Sequence, residues 1–328
     1  MTILVCGGAG YIGSHFVKAA ISAGHQVIVV DNLQTGHLSA IPKSAMFCEG
    51  DLRDRDFLSS VFSRYQIDAC VHFAACSLVG ESMEKPLKYF DNNVFGTIVL
   101  LDVMAQCHVN KIVFSSSAAV YGFQDQMPIE ESAPLKPANP YGESKLMMEK
   151  IMRWADLAHG IRYISLRYFN VAGASSDSTL GEDHRPETHL IPNILQVPLG
   201  FREKITIFGS DYPTADGTCV RDYIHVEDLA RAHLLALNHL SHSNHSDVFN
   251  LGSRHGYSNL EIVDMARKVS QHAIPVVFGP RRAGDPAKLV ASNDKALKLL
   301  GWQPALGLDT IIRSAWEFHR RHPRGYEE

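Results

Sequence analysis

The chain has 328 residues, 45% hydrophobic and 20% charged, with 31 Lys and Arg against 35 Asp and Glu for a formal charge of −4. That balance suits a soluble globular protein of two domains or one large α/β domain, and excludes the basic surplus that draws proteins to nucleic acid or anionic membranes. No apolar run nears the roughly 18–20 residues that span a bilayer, and "MTILVCGG" lacks a basic leader, so a cytoplasmic location is expected.

The first strand, "TILVCGG", runs into a glycine-rich turn and a helical stretch over 12–23. Gly7, Gly10 and Gly13 punctuate that turn, and Gly8, Gly10 and Gly13 also satisfy G-x-G-x-x-G. Glycines there let backbone amides approach a pyrophosphate at the helix N-terminus, whose dipole favours the anion. The next strand, "QVIVVD", ends in Asp31, where a carboxylate accepts from adenosine ribose hydroxyls and repels a 2′-phosphate. NAD is therefore expected rather than NADP. "EGDLRD" offers Asp51 and Leu52 as a rest for the adenine, with an Asp-capped turn as the equal alternative.

"DACVHFAA", "KIVFSSS" and "RYISLRYFN" read as further buried parallel strands, separated by helices over 55–65, 89–107 and 141–158. This alternation predicts an α/β fold, a Rossmann-type doubly wound parallel sheet with helices on both faces, over residues 1–170. Ser115, Ser116 and Ser117 stand at the C-terminal end of a strand, where ligands bind such sheets. In "NPYGESKLMMEK", Tyr141 and Lys145 begin a helix four residues apart, so that phenol and ammonium share one face. A cation beside the phenol is expected to lower its pKa and make Tyr141 a base.

After Asn170 the sequence becomes loop-rich, and residues 171–328 are expected to form a smaller mixed α/β substrate-binding lobe. The segment from about 221 to 253 is expected to return to the main sheet, through "RDYIHVEDLARAHLLALNHL" and the strand-like "VFNLGS". The six cysteines form no C-x-x-C pair and read as reduced thiols. In "EDHRPETH", His184, Glu187 and His189 lack the spacing of a known metal site, so a substrate-loop role is favoured and no metal is expected. "SHSNHS" at 241–246 reads as an exposed loop.

Taken in order, "GGAGYIGSH", "VDNL", "VGESMEKPLKYFDNNV", "SSSAAVYG", "PYGESK", "LRYFNVAGA", "DGTCVRDYIHVEDLA" and "RRAGDPA" resemble, almost end to end, the UDP-glucose 4-epimerase family of extended short-chain dehydrogenase/reductases. The resemblance implies a reversible exchange of UDP-galactose and UDP-glucose in galactose metabolism, through a 4-keto sugar and transient hydride transfer to NAD. It implies that Tyr141 takes the proton of the sugar 4-hydroxyl, Lys145 tunes Tyr141 and binds the nicotinamide ribose, and Ser117 hydrogen-bonds O4. Gly10, Tyr11, Ile12, Asp31, Asn32, Asp51, Leu52, Phe73, Ala74, Asn92, Lys145 and Phe169 match NAD contacts of the family. Asn170, Leu190, Arg221, Tyr223, Arg282 and Asp285 match its contacts to UDP.

Two departures stand out: Ser77 where some members carry a phosphate-binding Lys, and Leu289 where some carry a bulky aromatic that excludes N-acetylated sugars. Action on UDP-GlcNAc and UDP-GalNAc is thus an alternative reading. A nucleotide-sugar dehydratase is disfavoured, because the acid–base pair of that class is replaced by Ala118 and Ala119. The helices near 89–107 and 141–158 carry Leu100, Met104, Met147 and Trp154, read either as an exposed homodimer face or as core.

Overall fold

The computed structural model describes residues 1–243, 245–282 and 285–326. The first half alternates β1 (Thr2–Cys6), α1 (Tyr11–Ser22), β2 (Gln26–Asp31), β3 (Met46–Glu49), α2 (Arg55–Arg64), β4 (Ala69–His72), α3 (Val79–Glu84), α4 (Pro86–Tyr89), α5 (Gly96–Gln106), β5 (Lys111–Ser115), α6 (Pro140–His159) and β6 (Arg162–Tyr168). There follow β7 (Asn170–Ala172), α7 (Leu190–Leu195), β8 (Ile205–Phe208), β9 (Val220–Arg221), β10 (Tyr223–His225), α8 (Val226–His242) and β11 (Asp247–Leu251). β12 (Tyr257–Ser258), α9 (Asn259–Ser270), β13 (Val276–Gly279), β14 (Lys288–Leu289), α10 (Asp294–Leu300) and α11 (Leu308–Arg321) complete the order.

Seven strands form one parallel sheet in the order β11-β6-β5-β4-β1-β2-β3. Strand order reverses between β1 and β4, the crevice where open α/β sheets bind ligands. Side chains alternate across the sheet. Ile3 and Val5 pack with Phe16 and Val17 of α1 and Leu229 of α8, whereas Leu4 and Cys6 face Leu58 of α2 and Val103 of α5. A second apolar core joins Ile194, Ile205, Ile262, Ile311 and Trp316 from α7, β8, α9 and α11. The strand expected in "VFNLGS" is the edge strand β11, paired with β6, and α8 before it packs on α1.

Local chemistry sets where α6 begins. The Asn139 side chain accepts from the Gly142 amide at 2.8 Å, Pro140 occupies the first turn, and Gly160 closes the helix at φ 69°. Tyr141 therefore lies in the first turn and Lys145 one turn later.

The helix expected over 89–107 is interrupted by a π-helical turn at Phe90–Phe95, between α4 and α5. Asn93, fully buried, explains the break. Its side chain accepts from the Cys76 amide at 2.8 Å and donates to the Cys76 carbonyl and the Ser144 hydroxyl at 3.1 and 3.0 Å. Hydrophobic spacing does not register one extra residue in a turn.

Leu100 and Met104 are fully buried against the sheet, which overturns their reading as surface residues, while Met147 and Trp154 are exposed. Leu100→Ala should therefore cost about 2–5 kcal/mol in denaturant unfolding. An unchanged midpoint would return Leu100 to the surface.

Candidate active site

One cavity of about 1340 Å³ lies along the C-terminal ends of β1, β2, β4, β5 and β6 and reaches to β9 and β14. Every site residue read from the sequence borders it except Arg282. The Arg282 guanidinium lies over the Phe208 ring at 4.3 Å instead, because the exposed face of β8 offers it an aromatic partner.

At the cofactor end, β1 and α1 meet so closely that added side-chain carbon is not accommodated. A Cβ on Gly13 would stand 2.1 Å from the Gly7 carbonyl oxygen, and one on Gly7, at φ 82°, would stand 2.5 Å from the Ala74 nitrogen. Gly10, the N-cap of α1, brings no side-chain cap, so the amides of the first turn face the cavity beside Tyr11 and Ile12. These are the requirements for holding a pyrophosphate. Asp31 accepts from the Ala9 amide at 3.0 Å through one oxygen and from the Leu33 amide at 2.9 Å through the other. Burial raises its pKa, against those amide bonds. Asp51 accepts from Asn32 at 3.0 Å and from Arg53 at 2.8 Å, and Arg53 also pairs with Asp91, so no unpaired guanidinium waits beside Asp31 for a 2′-phosphate. The donor set fits NAD.

The reacting groups gather at the end of β5, whose three serines part ways. Ser115 bonds the Tyr168 hydroxyl, Ser116 donates to Glu149 at 2.5 Å, and Ser117 bonds the Tyr141 phenol on the cavity wall. Glu149 is held in turn by Arg167 through two bonds of 2.9 and 2.6 Å, inside the core.

Lys145 is 3% exposed; its Nζ donates to the Ser115 carbonyl at 2.7 Å and lies 4.9 Å from the centre of the Phe114 ring. Burial pushes the amine down to about 7, with Cys76 and Glu149 opposing. The expected depression of Tyr141 does not occur here. Burial raises the phenol, the Ser117 bond offsets part of that, and the Lys145 Nζ is 5.9 Å from the Tyr141 ring centre. Desolvation is the largest cause at both groups.

At the far end stand Asn170, Leu190, Arg221, Tyr223, Asp285 and Leu289. Arg221 donates to the Pro286 carbonyl at 2.8 Å and pairs with Asp285 at 3.5 Å, which holds its guanidinium at the cavity wall. Leu289 packs with Tyr121, Ile129 and Leu146. Sequence reading missed Asn93, which ties α6 to the π-helical turn, and Glu182, which joins His184, Glu187 and His189 in one cluster. Glu182 carries no signal of its own beyond its place two residues before His184.

Residues 3–252 match the model of the NAD dependent epimerase/dehydratase family. The UDP-glucose 4-epimerase of Lacticaseibacillus casei is 59% identical over 99% of both chains. Among solved structures, the UDP-glucose 4-epimerase from Bifidobacterium longum in complex with NAD+ and UDP superposes with a TM-score of 0.94 at 40% identity, covering 99% of this chain and 100% of that one. The UDP-Glc/GlcNAc 4-epimerase from Campylobacter jejuni gives 0.86 at 44% identity, over 98% and 99%. The chain, whose cavity offers a dinucleotide cradle, a Tyr–Lys pair and an arginine at the far end, belongs to the NAD dependent epimerase/dehydratase family, in its UDP-glucose 4-epimerase branch.

Proposed function

We propose that this cavity holds NAD and a UDP-sugar end to end and inverts the sugar at C4, interconverting UDP-galactose and UDP-glucose in galactose metabolism. The observation that carries this reading is the meeting of Ser117, Tyr141 and Lys145 midway between the Gly7–Asp31 cradle and Arg221. Residues 1–170 serve the dinucleotide and 171–328 the UDP-sugar, with 221–253 contributing to the main sheet.

Gly7, Gly10, Tyr11, Ile12 and Gly13 hold the pyrophosphate, Asp31 and Asn32 the adenosine ribose, and Asp51 and Leu52 border the adenine. Phe73, Ala74, Asn92, Lys145 and Phe169 line the path to the nicotinamide. Bound NAD supplies a reversible hydride acceptor at the sugar C4. Tyr141 removes and returns the 4-hydroxyl proton, Ser117 orients that oxygen, and Lys145 holds the nicotinamide ribose and the phenol in place. Asn170, Leu190, Arg221, Tyr223 and Asp285 bind the uridine diphosphate. Arg221 supplies the charge, and Arg282, which stands over Phe208 outside the cavity lining, is the second arginine of this proposal. With Ala118 and Ala119 after Ser117, no further acid or base is supplied to expel water from the sugar.

Trp154 and Leu157 are 70% and 69% exposed on α6, and Phe95 and Ile98, in the helical segments that pack against α6, are exposed as well. A second copy would cover that apolar stripe and give a homodimer. Six free thiols suit a cytoplasmic setting, and among the described residues no helix is long and apolar enough to cross a membrane.

Incubation of the purified protein with UDP-galactose and NAD should yield a species of unchanged mass that co-elutes with UDP-glucose. Loss of water would mean a dehydratase. Tyr141→Phe should lower kcat by about 10²–10⁴-fold while NAD stays bound, and unaffected turnover would remove Tyr141 from the chemistry.

Leu289, as the small side chain at the sugar end, admits an N-acetyl group. Leu289→Tyr should cut turnover of UDP-GalNAc far more than that of UDP-galactose, and equal discrimination by both proteins would reject the gate. Trp154→Glu should shift the sedimentation mass from dimer to monomer, whereas a wild-type monomer would refute the pairing.

A further inference from the structure

Glu182, His184 and His189 line the same cavity, and with Glu187 each offers one ligand atom, all within 4.8 Å of one another. The His189 Nδ1 lies 2.6 Å from Glu182 Oε1, and the His184 Nδ1 lies 3.4 Å from the same oxygen. Glu187 completes the ring, its two oxygens 3.4 Å from His189 and 3.6 Å from His184. Two further features bear on the cluster. The His184 Nδ1 is buried without a well-formed hydrogen bond, facing the Glu182 and Glu187 carboxylates only through ion pairs at 3.4 and 3.6 Å. Glu187 Oε1 is fixed by the Thr188 and His189 amides, both at 2.7 Å, the outer support that orients a ligating carboxylate.

We propose that Glu182, His184, Glu187 and His189 form a four-ligand site for one divalent transition-metal ion, with zinc the best match. Two imidazoles and two carboxylates suit zinc, whereas calcium and magnesium take oxygen ligands. Tetrahedral zinc with bonds of about 2.0–2.1 Å places its donors about 3.4 Å apart, close to the spacings found here. Binding requires both imidazoles neutral at the ligating nitrogen, and any proton held there passes to the buffer.

A closed set of protein ligands makes the site structural rather than catalytic. Its position gives it a task. His184 packs edge-on against Tyr11 at 6.3 Å, and His189 is the N-cap of α7, whose first residue Leu190 borders the substrate end. The ion would therefore fix the loop that joins the cofactor end of the cavity to the substrate end. The site is independent of the epimerase reading.

The full-length protein, stripped by dialysis against a chelator, should bind one Zn²⁺ per chain in a calorimetric titration, with the stoichiometry checked by elemental analysis. Co²⁺ should give the intense visible bands of a four-coordinate ion. Zn²⁺ should raise the thermal unfolding midpoint, and Mg²⁺ should not. His184→Ala/His189→Ala should weaken Zn²⁺ binding at least tenfold and abolish that shift, while the surface variant His242→Ala keeps both. Should the double variant fail to fold, Glu182→Gln, which preserves volume, gives the same reading. Absence of saturable Zn²⁺ binding by the wild type, or undiminished binding by a folded ligand variant, would leave an ion-pair cluster and overturn the proposal.

Discussion

The site depends first on how closely α1 is seated against β1. Because a Cβ on Gly13 would collide with the Gly7 carbonyl, the helix can dock with its amides directed at the sheet edge only if both positions lack side chains. That seating puts Ala9 within reach of Asp31, so the end of β2 is bonded to the turn after β1. One steric condition thus places the amides, the acidic residue and the floor of the crevice together. Phe16 and Val17, on the buried face of the same helix, supply the apolar contact that holds it there.

A second layer of order comes from buried polar groups that find partners. Arg167 and Glu149 would each be costly alone in the core. They are joined by two hydrogen bonds and extended by Ser116 and the Tyr121 hydroxyl, which in turn meets Asn250 of β11. This chain of bonds runs from β5 through α6 and β6 to the sheet edge, directly behind Lys145. The amine and phenol of the site thus stand against this bonded wall, and burial is the largest influence on the protonation of both.

Much of this was legible in the residues because parallel strands write near-continuous apolar runs and dinucleotide turns demand glycine. "TILVCGG", Asp31 and the Tyr141–Lys145 spacing are each common alone and become specific only in combination and in order. What stayed hidden has the opposite character. The π-helical turn rests on hydrogen bonds of Asn93 to distant residues, and the outward placement of Arg282 rests on Phe208. Leu100 and Met104 were ambiguous because an apolar residue on a helix reads alike whether it faces a sheet or solvent. The direction of the Tyr141 shift is hidden for a related reason: attraction between neighbours is visible in spacing, whereas the depth of burial is a property of the whole fold.

The path of the chain between the two apolar cores has an evolutionary consequence. After β6 the chain leaves the large sheet, returns as α8 and β11, leaves again, and comes back with α10 and Trp302, which lies in the core beneath α8. Neither core is encoded by one uninterrupted stretch of gene. A fragment cut at residue 170 would strip β6 of its neighbour β11 and bare Phe16 and Val17 where α8 had covered them. Joining a foreign gene segment after residue 170 would therefore remove part of the nucleotide half along with the substrate half. Exchange of substrate specificity by a single end-to-end fusion is at odds with this topology, whereas substitution of side chains that line the cavity leaves both cores intact.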